Sequence, residues 1–471
     1  MVELPALFEI STLLLLAWGA LAFGAEYAWA FTPLLVFSLV PATLGLRSAT
    51  GSMPSRTLVL PIVFVFLAGV VQVFAPAELV PPSWQSPPRA DFGQLYALVT
   101  MQRAPLEGAN RISIAPDRTV LGLAFLATLT LLLVGCTRAI SAVGPKRLIR
   151  GVIVLGAAVA LVGLIQASVK TETIYGFWRQ PKWGIPFAPF INENHFAGWM
   201  AMVVSLTIGS LAGDLSAALR NVKPGWRDRL LWFSSQSASA MMLTALAVSV
   251  MALSMVVATS RGGLVGLFVI VLIGLILIAR RQGGWKRAIG ATAFVVIVLA
   301  ALSWGGASRT IDQFNGVSEN LGGRRQIWAD TLRIIRDYPV TGTGLNTFGI
   351  AMLHYRKDYE VDGAVAEAHN DYLQVIAEGG LLLGIPVMFA ILAFGRQVWL
   401  RFAEGLDDEG TYWLRAGAVT GLCAIALMET FDFTLQMPGA AAMFVVLAAI
   451  AIHRPNYLKR EGADHLTGHR R

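Results

Sequence analysis

Ala368-His369-Asn370-Asp371-Tyr372-Leu373-Gln374 closes a polar stretch and opens an apolar one, which runs on through Gly379-Gly380 to about residue 395. An apolar run of about 20 residues matches the hydrocarbon thickness of a bilayer when coiled as a helix. The polar side of this junction reaches back to about residue 305, where another apolar run ends. Working outward in both directions, the same alternation gives about twelve spans in all. They lie at roughly 7–24, 30–46, 57–75, 119–137, 149–168, 195–213, 236–258, 263–279, 287–304, 372–395, 413–431 and 437–453. The pattern predicts an all-α polytopic membrane protein. Residues 1–453 form a single transmembrane domain that includes an external helical loop at 305–370, and 454–471 form a tail.

Composition agrees. Apolar residues make up 55 % of the 471 and charged ones 14 %, a balance that excludes an ordinary soluble domain. The net charge of +8 does not point to nucleic acid, because most basic residues sit in short loops between spans. There they set orientation. Arg47 and Arg56, then Arg138, Lys146, Arg147 and Arg150, then Arg280, Arg281, Lys286 and Arg287, fall on one side. That side is read as cytoplasmic, with both termini on it. Cys136 and Cys423 both lie in apolar spans and suit neither a disulfide framework nor a zinc site. Met1-Val2-Glu3-Leu4-Pro5 has no basic region, so the first span is read as retained.

Three segments then face outward. Residues 76–118 are proline-rich, with Pro81-Pro82-Ser83-Trp84 and Pro87-Pro88, and read as irregular. Residues 169–194 mix aromatic rings and cations in Trp178, Arg179, Lys182 and Trp183, a set suited to sugar faces, lipid phosphates or an interfacial belt. Asn194 and His195 follow at a span start. In 305–370 the four- and three-residue spacing of Trp328, Leu332 and Ile335 predicts a helix over 324–337, stopped by Pro339. A second helix is expected over 348–360.

Within these segments a few residues suit chemistry. His369 stands where loop meets span, a place where an imidazole exchanges protons near neutral pH, unless it is only a helix cap. Asn370 and Gln374 share a helix face. Arg261, in Ser260-Arg261-Gly262-Gly263, is a cation at the outer bilayer edge, where it either snorkels or binds an anion. Arg324 and Arg325 open the predicted external helix, whose N-terminus would help them hold phosphate; the plainer reading pairs them with Asp330. Thr341-Gly342-Thr343-Gly344 lacks the Lys-Ser/Thr ending of a nucleotide loop and reads as a turn. Asp358, Glu360 and Asp362 are too loosely spaced to favour a cation site. Asp407-Asp408-Glu409 reads as surface, while Glu378, Glu429 and Asp432 are carboxylates in or near spans.

In this order, several of these pieces resemble the O-antigen ligase and polymerase superfamily of bacterial envelope glycosyltransferases. The resemblance rests on Ser260-Arg261-Gly262-Gly263, on Arg324 four residues before Trp328, on Gly342-Thr343-Gly344-Leu345-Asn346-Thr347-Phe348, and on His369-Asn370 ahead of Gly379-Gly380. Asn192-Glu193-Asn194-His195-Phe196-Ala197 also looks like the family's asparagine-containing segment. Leu383 departs from the small or polar residue common in lipopolysaccharide ligases at that position.

The resemblance implies an inner-membrane enzyme of the cell envelope that works at the periplasmic face without a cofactor. The donor would be a glycan on undecaprenyl diphosphate. The acceptor would be a sugar hydroxyl on lipid A-core or on a second lipid-linked glycan, or else a protein side chain. His369 would be the base, with Arg261 and Arg324 on the diphosphate. Arg325, Arg179, Lys182, His195, Asn194, Asn370 and Trp328 would line the substrate, and transfer would be inverting and metal-independent. The rival reading is a lipid-linked glycan flippase or proton-coupled transporter, which places its charges near the midplane.

Overall fold

The computed structural model describes residues 3–48, 50–84, 111–169, 171, 173–179, 186–221, 227, 234–281, 317–356 and 365–456. Lys182, Pro87-Pro88, Asp358, Glu360, Asp362, the expected span 287–304 and most of the tail lie outside these residues. Every other expected span coincides with a helix. They are α1 Glu3–Leu21, α2 Ala28–Leu46, α3 Arg56–Phe74, α4 Pro116–Val143, α5 Lys146–Val169, α6 Glu193–Asn221, α7 Gln236–Val257, α8 Arg261–Arg281, α11 Asp371–Ala403, α12 Glu409–Met428 and α13 Pro438–Ile452. Among the described residues, nine of these are long and apolar enough to cross a membrane. The apolar parts of α8 and α13, Arg261–Leu277 and Pro438–Ile452, are shorter. Two further helices, α9 Val317–Asp337 and α10 Phe348–Tyr355, belong to the polar segment, and one short hairpin pairs Thr173–Ile174 with Trp178–Arg179. The fold is all-α and multi-pass.

The centre of the bundle is α13, packed against α1, α4, α6 and α12. It is apolar on every side and buried along nearly its whole length, as a helix without a polar face must be. Lipid gives apolar helices no hydrophobic reason to associate, so close packing of small residues has to supply the contact. Where α2 crosses α4, a side chain on Gly45 would overlap the backbone of Gly135. At the far end of α13, Arg415 is wholly buried and forms a two-point pair with Asp407, 2.7 and 2.8 Å. It also donates to Ala451 O, while Arg401 donates to Ile452 O at 3.0 Å. Two guanidiniums thus cap the last carbonyls of α13. This corrects the surface reading of Asp407-Asp408-Glu409: Asp407 is the buried partner, and Asp408 caps α12 by accepting from Thr411 N at 2.8 Å.

At the opposite end, α11 is broken. Gly380 adopts φ 54°, ψ −155°, which only glycine tolerates well, and the helix's hydrogen-bond ladder is interrupted there. The Pro339–Gly344 segment fills the gap with its own backbone. Leu381 N donates to Pro339 O (2.9 Å) and Leu382 N to Val340 O (2.8 Å), while Thr343 N and Gly344 N donate to Ala377 O (3.1 Å) and Glu378 O (2.9 Å). Gln72 of α3 completes the junction, donating to Thr341 O at 2.7 Å and to Glu378 O at 2.9 Å. Glu378 accepts from Asn346 N and Phe348 N, at 2.8 and 2.9 Å, and so caps α10. The Gly/Thr run is therefore a turn, as its sequence suggests, and Glu378 is a structural cap.

The helix boundaries need correction. α9 starts at Val317, seven residues before Arg324, so Arg324 and Arg325 lie beyond its first turn and gain nothing from its N-terminal dipole. α10 ends at Tyr355, short of the expected residue 360, of which only the segment to 356 is described.

Gly342 at φ 60° packs so tightly that a Cβ would overlap the Glu378 carbonyl, whereas Gly384 faces open space. Gly342→Ala is expected to lower stability by about 1–3 kcal/mol through overpacking and backbone strain. Gly384→Ala should be neutral or slightly stabilising, by up to about 1 kcal/mol. Melting of the purified protein in detergent compares the two.

Candidate active site

The site is built around the turn that starts α11. His369 sits at φ 51°, a left-handed conformation that costs a non-glycine residue energy and persists only when its neighbours hold it. Both flanks are held. Ala368 N donates to Gln374 Oε1 at 2.8 Å, and Ala368 O accepts from Trp328 Nε1 at 3.0 Å. On the other side, Asn370 Oδ1 accepts from Leu373 N at 3.0 Å, capping α11, and Asn370 Nδ2 donates to Thr430 O at 3.1 Å. Asp371 N donates to Glu429 O at 3.1 Å. The turn is thus tied to α9 through Trp328 and to the α12–α13 connection through Asn370 and Asp371.

Arg324 lies four residues before Trp328, on the same face of α9. The bond from Trp328 to Ala368 therefore sets the guanidinium near the imidazole. The His369 ring meets Phe433 edge-on, with centroids 4.8 Å apart, and its Nδ1 is buried with no protein partner. Burial, and next the charge of Arg324, push the His369 pKa down to about 4. The ring is thus neutral, and able to accept a proton, across the physiological range. Asp432, beside Phe433, also feels Arg324. Burial raises its pKa to about 6, against the pull of Arg324 and of the Phe433 N–H that it accepts at 2.9 Å.

His195 comes to the same place from the first turn of α6. Its ring meets Phe433 edge-on at 4.8 Å, so Phe433 touches both histidines, and neither of its ring nitrogens has a protein partner. Next to it, Asn194 Oδ1 accepts from Ser260 Oγ at 2.6 Å, and Ser260 Oγ accepts from Gly263 N at 3.0 Å, capping α8. That bond joins α6 to α8, whose first residue is Arg261. Among the described residues neither Arg261 nor Arg324 has a carboxylate within ion-pair distance; Asp330 pairs with Arg333 instead, at 2.7 Å. A cation at a helix N-terminus opposes the helix dipole, and the arrangement is relieved by an anion that both can hold.

The structure thus gathers His369, Arg324, Arg261, His195 and Asn194 at one end of the bundle. Trp328 and Asn370 are there too, but their polar groups are engaged in holding the His369 turn. Arg325 is exposed beside Arg324. Arg179 is exposed on the hairpin, where Trp178 packs against Phe23 and Tyr27 at the α1–α2 corner. Three participants escape the sequence reading: Phe433, Asp371 and Glu367, whose pKa burial raises to about 8. The signal was present in Glu429-Thr430-Phe431-Asp432-Phe433, where two carboxylates and two aromatics end a span.

Residues 246–388 match the model of the family described as O-antigen ligase. The match covers Arg261, Arg324, Trp328, His369 and Asn370, and supports assignment of the chain to the O-antigen ligase and polymerase superfamily. The likeness covers that part of a multi-pass membrane protein. No curated protein matches the chain significantly.

Trp328→Phe keeps the packing and leaves Ala368 O without its donor, at a cost of about 1–3 kcal/mol. Hydrogen exchange should rise at residues 365–370 and stay unchanged in α13. Unaltered exchange at that turn would show that Trp328 does not hold it.

Proposed function

We propose that this chain, assigned to the O-antigen ligase and polymerase superfamily, is an inner-membrane glycosyltransferase with both termini cytoplasmic. It moves a glycan from undecaprenyl diphosphate to a sugar hydroxyl at the periplasmic face. The observation that carries this reading is a neutral, partly open imidazole beside the Arg324 guanidinium, with Arg261 tied to the same end of the bundle through Ser260 and Asn194. His369 accepts the acceptor's hydroxyl proton; with Nδ1 buried, the receiving atom is Nε2. The deprotonated oxygen attacks the anomeric carbon, and the bond to the diphosphate oxygen breaks on the opposite face, inverting the centre. The electron pair leaves with undecaprenyl diphosphate, whose growing negative charge Arg261 and Arg324 stabilise.

Two fixed guanidiniums can do what a metal does for a leaving diphosphate, and the reading is metal-independent transfer. Against the transporter reading, Glu378 is engaged as a helix cap, and Arg261 stands at the start of a span rather than within one. Acceptor candidates are lipid A-core and a second lipid-linked glycan.

Purified protein given undecaprenyl-diphosphate glycan and each acceptor separately should form product with one of them. His369→Ala should lower the rate about 100- to 10,000-fold while melting as wild type does. Lys in place of Arg261 or Arg324 should recover little activity, since the two-point fork is lost. The acid limb of the rate profile should fall near pH 4, where His369 protonates, and not near 6.5. Arg324→Gln, which removes the charge opposing protonation, should move that limb to higher pH. A strict requirement for a divalent metal, revealed by chelation, would overturn the leaving-group assignment. Donor movement across vesicles without transfer, unaffected by His369→Ala, would favour the flippase.

A further inference from the structure

Glu429 is 1 % exposed, and neither of its carboxyl oxygens meets a donor at hydrogen-bonding geometry. The backbone N–H of Leu435 acts on it weakly without reaching that geometry. The backbone bond from Asp371 N to Glu429 O, 3.1 Å, holds Glu429 beside Asp371 at the start of α11, and each carboxyl acts electrostatically on the other. Two ionised carboxylates are both acceptors and repel each other; they form a hydrogen bond only when a proton lies between them. Asp371 is fixed for this contact. Gln436 Nε2 donates to its Oδ1 at 2.6 Å, and its own N–H donates to Glu429 O at 3.1 Å. Gln374 Nε2 donates to Gln436 Oε1 at 3.1 Å and to Glu367 Oε2 at 2.6 Å, and Gln374 Oε1 accepts from Ala368 N. The pair therefore stands at one end of a chain of bonds whose other end holds the residue before His369.

We propose that Asp371 and Glu429 share one proton at neutral pH, and that this proton latches α11 to the end of α12 so that the His369 turn stays in place. Glu429 is then a positioning residue that acts through Asp371 and Asn370. The latch rests on the proposed role of His369 for its effect on rate, but not for its existence. The groups facing the pair are Tyr372 on α11, which donates to Ala426 O at 2.7 Å, and Asp432 on the α12–α13 connection. Glu367 and Arg324 lie further out. Asp432 adds negative charge, and it strengthens the retention of the proton by Glu429. Burial, followed by the charge of Asp371, raises the Glu429 pKa well above the carboxylate range.

The sign of the pH effect follows. A carboxyl whose pKa is raised in the folded state binds its proton more tightly there than when unfolded. Its contribution is present below the unfolded value and is lost as pH rises through the folded one. Wild type should therefore lose stability, and then activity, on the alkaline side as the shared proton leaves.

The test compares wild type with Glu429→Gln and Glu429→Ala. The Gln amide donates to Asp371 permanently and cannot ionise. Infrared spectra of the full-length protein at neutral pH should show a protonated carboxylic C=O stretch in wild type that is missing in Glu429→Gln. Glu429→Gln should melt at least as well as wild type at alkaline pH and carry its activity limb to higher pH, with a neutral-pH rate within about threefold. Glu429→Ala should lose about tenfold in rate, because the Asp371 charge is left unpaired. Identical carboxylic bands in wild type and Glu429→Gln, or an unshifted alkaline melting profile, would overturn the latch. If wild type transfers no glycan, the infrared and melting comparisons still decide it, and only the assignment of His369 fails.

Discussion

A backbone that leaves the helix inside a membrane exposes amide groups that no water can satisfy, and each unsatisfied one costs several kcal/mol (about 2–7). The break of α11 at Gly380 creates that demand, and the Pro339–Gly344 segment meets it. The polar elaboration is thereby welded to the bundle by main-chain bonds. α9 precedes this segment and α10 follows it, so the weld sets where both helices stand. Gln72 from α3 and Glu378 from α11 itself finish the bonding. A carboxylate at that depth is expensive unless donors surround it, and two backbone N–H groups at a helix start provide them.

The same weld explains why the site has two layers of bonding. Arg324 and His369 belong to different elements, and neither element alone fixes their distance. α9 is placed by the weld at its C-terminal end; Trp328 then ties its middle to Ala368. α11 is placed by its packing against α3, while Asn370 and Asp371 tie its start to Thr430 and Glu429. The strained conformation of His369 is the point where these constraints meet. Such strain survives only where surrounding bonds over-determine the residue, and here they come from three helices.

The spans were legible because bilayer thickness imposes a length and composition that few other structures share. His369, Arg261 and Arg324 stand out as candidates because charged or titratable groups at a bilayer edge need a reason to be there. Less visible was how each is held. The start of α9 was misplaced because Val317–Gly323 is polar and carries two glycines, Gly322 and Gly323, with no apolar periodicity to mark a helix. Trp328 and Asn370 were read as substrate contacts, since sequence cannot tell a polar atom facing a ligand from one facing a carbonyl. Phe433 alone is inconspicuous, because a phenylalanine at a span end is commonplace; only the carboxylates beside it, Glu429 and Asp432, mark the segment. Asp407 looked like surface for the converse reason: its partner, Arg415, lies eight residues away and across a turn.

Charge gives the site its direction. Three carboxyls near His369 have raised pKa values: Asp432 to about 6, Glu367 to about 8, and Glu429 higher than an ordinary carboxylate by burial and by Asp371. Each is thus less negative than its residue type suggests. The imidazole is neutral, with its pKa pushed down to about 4. Burial has therefore muted Glu367 and Glu429, while Asp432, raised only to about 6, still carries charge near neutral pH, and the local balance is more positive than a count of side chains implies. A cation pathway would need the reverse, with ionised acids along it. For the proposed transfer, this balance would suit a departing diphosphate, and the neutral imidazole would suit a base that takes the acceptor's proton. Were the ring protonated, repulsion from Arg324 would favour return of that proton.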